Sequence, residues 1–163
     1  MSVGLLDWVP RRATDARFGE LRYWRGHWTS RSAACFGASR VEVHVPGSRD
    51  GLLTDARELF ESVESSYPAL KPQILAHFHE HYEAYADMLA ELPEDEAALV
   101  RSIHAPEDLW TDARLVEVLV NAYGNAGTVE LRYDTDWDIE HRLGVTISGG
   151  VVTDFCGSVG PWR

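Results

Sequence analysis

Lysine is nearly missing from this chain: of 15 basic side chains fourteen are Arg and one is Lys71, against 26 carboxylates, which leaves a formal net charge of −11. An excess of that sign repels phosphate backbones at long range, so nucleic acid is an unfavoured partner. Cysteine is scarce too. Cys35 and Cys156 lie far apart in no CxxC or Cys/His spacing, which excludes a disulfide framework and a thiolate zinc site and predicts two small buried hydrophobes. No run of apolar residues approaches the ~20 needed for a membrane helix. Asp7 breaks the apolar start of the chain and no small-residue cleavage pattern follows, so a signal peptide is not expected and a cytoplasmic location is. G-x-S-x-G elbows, Walker loops and dinucleotide fingerprints are all lacking.

What is present is an ordinary globular composition, 45% apolar and 25% charged over 163 residues, enough to bury a core in one domain without staples. Residues 1–17 carry Pro10, Arg11 and Arg12 with little periodicity and read as an arm, perched on a single domain over 18–163. Phe18 to Trp24 reads as a strand, a second follows Gly26 through Phe36, and Val41, Val43 and Val45 alternate with Glu42 and His44 in a third. Asp50 is placed to cap a helix whose apolar stripe is Leu52, Ala56, Leu59, Phe60 and Val63, with Tyr67-Pro68 as its end. A second helix from about 70 to 91 buries Ile74, Leu75, Phe78, Tyr82, Tyr85 and Leu89. A short third helix over 95–103 and a turn or two around Trp110 come next, then strands over 115–120 and 129–133. The chain closes on Leu143, Val145 and Ile147, a Gly149-Gly150 hairpin turn, and Val151, Thr153 and Phe155.

Strands grouped at both ends with helices between them predict an α+β fold: a mainly antiparallel sheet of about seven strands with two principal helices on one face. Its expected core includes Val41, Val43, Leu59, Phe60, Phe78, Tyr82, Leu89, Leu131, Val145 and Ile147.

The densest polar cluster precedes the closing hairpin. Asp134, Asp136 and Asp138 alternate as in half a calcium loop, but Ile139 replaces the required Gly and Val145 the bidentate Glu, so an EF-hand is rejected. Asp136, Asp138, Glu140 and His141 remain a candidate metal set, with Glu140 as the base of a metal-dependent hydrolase. Extended backbone sends alternate residues to opposite sides, so only a subset can converge. Trp137 is expected to pack beneath this turn, with Gly144 admitting a close neighbour. His77 and His81 share a helix face, but the order around Glu80 is not that of a helical zinc motif.

Between Gln73 and Val100 there are seven acids and neither Lys nor Arg, and Glu80, Glu83, Asp87 and Glu91 line one outer helix face. Helix surfaces ordinarily intersperse Lys or Arg at i, i+4, so this stripe leaves its repulsion uncompensated and is suited to steering a basic protein. The first strands show the opposite pattern. Arg22, Arg25, Arg31 and Arg40 lie among Tyr23, Trp24, His27, Trp28 and Phe36, a composition that can stack single-stranded bases.

Over Trp137-Asp138-Ile139-Glu140-His141-Arg142-Leu143-Gly144-Val145 the chain resembles a bacterial family of unknown function whose closing motif reads W-D-x-E-H-G-L-G-V. Phe18-Gly19-Glu20-Leu21 and the segment from Pro106 to Trp110 extend the likeness to about residues 18–157. The resemblance implies a small cytoplasmic domain, in some members encoded near toxin and immunity genes, and carries over no catalytic residue. Arg142 stands where that motif has Gly, which would strain the turn if the position required a positive φ. With no cofactor implied, the reading that results is a non-catalytic binding module that meets a basic partner through Glu80, Glu83, Asp87 and Glu91.

Overall fold

The computed structural model describes residues 11–91, 93, 105–122 and 127–160. Among these residues the chain forms β1 (Arg11–Asp15), β2 (Gly19–Trp24), β3 (His27–Phe36), β4 (Ser39–Ser48), β5 (Gly51–Leu52), α1 (Thr54–Ala90), α2 (Asp108–Asp112), β6 (Ala113–Asn121), β7 (Thr128–Thr135), β8 (Arg142–Ser148) and β9 (Val151–Val159). Eight strands pair in the order β1-β2-β3-β4-β6-β7-β8-β9, with β5 paired to β4 off this path. The class is mixed α+β and the sheet is mostly antiparallel, but it has nine strands rather than about seven. Residues 11–15 of the expected arm are its first edge strand. The helix expected over 95–103 lies outside the described residues.

Two antiparallel meanders, β1 to β4 and β6 to β9, meet along one parallel seam in which Val43 sits beside Val118 and His44 beside Leu119. A parallel neighbour cannot be reached by a tight turn, so the chain leaves β4, passes through α1 and α2, and returns as β6. Tight turns close the hairpins: Gly149 and Gly150 adopt φ of 58° and 79° between β8 and β9, and Arg25 with Gly26 adopts 47° and 89° between β2 and β3. Arg142 lies within β8 and is not among the positive-φ residues, so the strain considered for it does not arise.

The expected pair of helices is one helix of 37 residues that contains both Pro68 and Pro72. Proline ends helices when the lost N–H and the ring clash fall on a packed face. Here the two prolines are four apart, share the solvent side and are exposed, so water can satisfy the carbonyls they leave without a donor. The buried stripe runs continuously past them through Phe60, Val63, Leu70, Ile74 and Phe78. Asp50 does not cap this helix, which begins at Thr54 after β5.

The core lies between α1 and one face of the sheet. Val41, Val43, Phe60, Phe78, Leu131, Val145 and Ile147 are buried as expected, and Leu59 and Tyr82 pack against them partly buried; nothing is described of the Leu89 side chain. Lys71, the one lysine, lies over the rings of Trp110 and Tyr67 at 5.2 and 5.6 Å from their centroids. Cys35 and Cys156 are exposed rather than buried. Each occupies the outward phase of its strand, Cys35 between the buried Ala34 and Phe36 and Cys156 on the edge strand β9. No helix among the described residues is long and apolar enough to cross a membrane.

Because Pro68 faces solvent, Pro68→Ala restores an N–H and relieves the ring clash without opening a cavity. It is expected to stabilise the fold by about 1–3 kcal/mol. Chemical denaturation would show this as a higher midpoint at unchanged m-value, and a lower midpoint would mean that the proline bend is required for packing.

Candidate functional site

The sheet face turned away from α1 carries a charged network. Alternation sends Val43, Val118 and Leu131 toward the helix, and therefore Glu42, His44, Glu117, Glu130 and Arg132 to the other side. The register then makes them neighbours across β4, β6 and β7. His44 Nε2 lies 2.8 Å from Glu117 Oε1 and 3.3 Å from Glu42 Oε1. The other ring nitrogen, Nδ1, lies 3.1 Å from Thr29 Oγ1 on β3. Arg132 donates from Nη1 to Glu117 Oε2 at 3.1 Å and to the Gly160 carbonyl at 3.0 Å, and from Nε to Glu130 Oε1 at 2.9 Å. Arg142 donates to Asp134 at 2.8 Å and to Glu117 Oε2 at 3.4 Å.

His44, Glu117 and Arg132 are all buried. Burial by itself would raise the Glu117 carboxyl, but its hydrogen bond to His44 and the attraction of His44 and Arg132 overcome that and hold it below the ordinary value. Burial likewise disfavours the charged Arg132, and its bonds to Glu130 and Glu117 more than restore it. Gly144 of β8 stands opposite Arg132 and makes room for this network. A Cβ there would fall 2.9 Å from Glu130 Oε1 and 2.6 Å from Val159 Cγ1.

The loop between β7 and β8 holds the residues singled out as a metal set, and it joins only two of them directly. Asp138, buried, accepts from His141 Nδ1 at 3.0 Å and from the His141 backbone N–H at 3.1 Å. Asp136 and Glu140 are exposed, and the Asp136 N–H donates to the Asp112 carbonyl at 3.0 Å. Trp137 is buried against Phe78 and Tyr82, and its indole Nε1 donates to His81 Nδ1 at 3.3 Å. His81 Nε2 in turn lies 3.7 Å from Asp138 Oδ2. His81, stacked on Tyr85 at 6.4 Å between centroids, ties this loop to the helix, and burial raises the Tyr85 phenol, with Asp138 and Glu140 raising it further.

On the outer side of α1, Glu80, Glu83, Asp87 and Glu91 are all exposed. In the first meander Trp28 and Phe36 are buried in the core, while Trp24 is exposed with the Arg25 guanidinium 5.4 Å from its ring centroid. A concavity of about 520 Å3 opens on the helix side between Tyr67, Lys71, Trp110 and Tyr133. The Tyr67 and Tyr133 hydroxyls meet there at 3.1 Å, and burial raises both phenols.

Two measurements follow from the Trp137 and His81 contacts. Trp137→Ala should cost about 3–5 kcal/mol, the range for deleting a buried aromatic, and an unchanged denaturation midpoint would contradict its packing role. Burial lowers the His81 pKa from 6.5, an effect that Asp138 opposes and His141 reinforces. In the window just below 6.5 the unfolded chain then binds more protons than the folded one, so stability should fall as the pH drops. His27, also lowered by burial, adds to the same slope, so His81→Gln should flatten part of it. An identical slope in that variant would assign the effect elsewhere.

Neither the curated proteins nor the solved structures contain a match to the chain. A family model does match, and it takes in every strand but β1, both helices and the charged network. The chain belongs to the family described as "Domain of unknown function (DUF6985)", whose model covers residues 17–161.

Proposed function

We propose that this chain is a non-catalytic binding module of the immunity type, whose partner is a basic protein met by the outer face of the C-terminal half of α1. The observation that carries this reading is a run of four exposed acids along one helix face with no Arg or Lys beside them among the described residues, whereas the acids of the sheet network and of the first strands near α1 are held by Arg. Asp15 pairs with Arg57, Glu64 with Arg17, Glu117 and Glu130 with Arg132, and Asp134 with Arg142. Glu80, Glu83, Asp87 and Glu91 have no Arg or Lys partner among the described residues; Glu80 and Glu83 have only His77 and His79, at 3.7 and 3.6 Å.

Apolar points flank the acids. Met88 is 53% exposed on the helix, and Ile139 is 86% exposed in the loop that lies beside Tyr85. An apolar point within a charged rim is the usual anatomy of a protein interface. The hydrolase reading of Asp136, Asp138, Glu140 and His141 draws its support from the single Asp138–His141 pair, a smaller set than metal-assisted chemistry at those four residues requires.

Affinity capture with the wild type and with a Glu80→Gln, Glu83→Gln, Asp87→Asn, Glu91→Gln variant tests this reading. A basic protein should be retained by the wild type and lost by the variant, and retention should weaken with salt, because exposed charge is screened within about 8 Å at physiological ionic strength. Equal retention by both proteins would remove the acidic face from the mechanism.

A further inference from the structure

We infer that the sheet face opposite α1 holds a divalent first-row transition-metal site, with His44 Nε2, Glu117 Oε1 and a Glu42 carboxylate oxygen as its ligands. One ligand atom from each of the three residues lies within 4.8 Å of the other two, and this is the one such group of His, Cys and acids among the described residues. Ligand atoms about 2.1 Å from a common ion sit roughly 3.0–3.4 Å from one another. The His44–Glu117 and His44–Glu42 separations of 2.8 and 3.3 Å are close to that spacing, and Glu42, the third ligand, is the exposed side chain that can close on the ion.

Two further observations point to a cation. The first is the charge of the network. Among the described residues, Glu42, Glu117, Glu130 and Asp134 supply four carboxylates against the guanidiniums of Arg132 and Arg142, an acidic excess that a bound dication offsets. The second is the supporting shell. With Nε2 on the metal, the proton of a neutral imidazole sits on Nδ1, where Thr29 Oγ1 is placed to accept it. The second oxygen of Glu117 is held by Arg132 and Arg142, which aims the first at His44.

Glu117 and His44 are fixed by their surroundings, whereas the Glu42 side chain is 41% exposed and faces the solvent side from which an ion enters. One imidazole with two carboxylates favours manganese, iron, cobalt or zinc over magnesium and calcium, which take oxygen ligands.

The test is calorimetric titration of chelator-treated protein with zinc, manganese and cobalt chlorides, with the visible absorption of bound cobalt as a second readout. One ion per chain is expected. Because His44 and Glu117 variants can lose the fold itself, the decisive variants are Glu42→Gln and Thr29→Val. Glu42→Gln should weaken binding at least tenfold with the metal-free melting temperature unchanged. Thr29→Val should weaken it about ten- to hundredfold, the range for removing an outer-shell partner of a ligand. Asp138→Asn should bind as the wild type does. Absence of binding at millimolar metal, full binding in both decisive variants, or loss of binding in Asp138→Asn would each overturn the assignment.

Discussion

The parallel pairing of β4 with β6 is the constraint on which the rest of the molecule depends. It fuses two meanders that would each be a small four-stranded sheet, and it obliges the chain to place a long crossover between them. That crossover is α1, and its buried stripe covers the face that Val43, Val118 and Leu131 present. The same seam brings Glu42, His44 and Glu117 together on the opposite face. One register therefore sets both the core and the charged network, and a slip of one residue would exchange them.

Buried charge of this kind is seldom a source of net stability, since desolvation offsets most of the attraction, while removing one member leaves the others buried and unpaired. The network is better understood as a constraint of specificity. Glu117 holds His44 through one oxygen and Arg132 and Arg142 through the other, so β4, β7 and β8 are tied to β6 by one carboxylate. Gly144 shows the backbone adapting to it, because any side chain there would press on Glu130 and Val159.

Local patterns made much of this fold legible in the sequence. Gly26 and strict alternation marked the first strands, the Gly149-Gly150 pair marked the closing turn, and Trp137 beside a run of acids marked a packed loop. Pro68 misled, because a proline in sequence gives no sign of which side of a helix it occupies. The charged network was out of reach for a related reason. Glu42 and His44 have the phase of ordinary solvent-facing residues, and Glu117 interrupts a run of Val and Leu with nothing to show what stands beside it. Its burial is a consequence of pairing between strands some seventy residues apart, after a register shift between Leu115 and Glu117. The one available signal was that the polar phase of the central strands sets acids beside basic residue types, Glu42 beside His44 and Glu130 beside Arg132.

The two charged regions differ in what water does to them. Inside the network Glu117, Glu130 and Asp134 each accept from an Arg, and low local polarity strengthens those bonds. Along the last turns of α1 the acids stand in water, near a helix terminus whose partial charge is itself negative and whose last turn contains no basic residue. Asp87 and Glu91, in and just past the last turn, oppose the helix dipole by about 0.3–1 kcal/mol each at low ionic strength. Among the described side chains the apolar packing of the stripe takes in Tyr82 and Tyr85, and Asp87 and Glu91 are exposed. At this end of the helix like charges face one another and the helix terminus alike, and a cationic surface laid against it would relieve both conflicts in one contact.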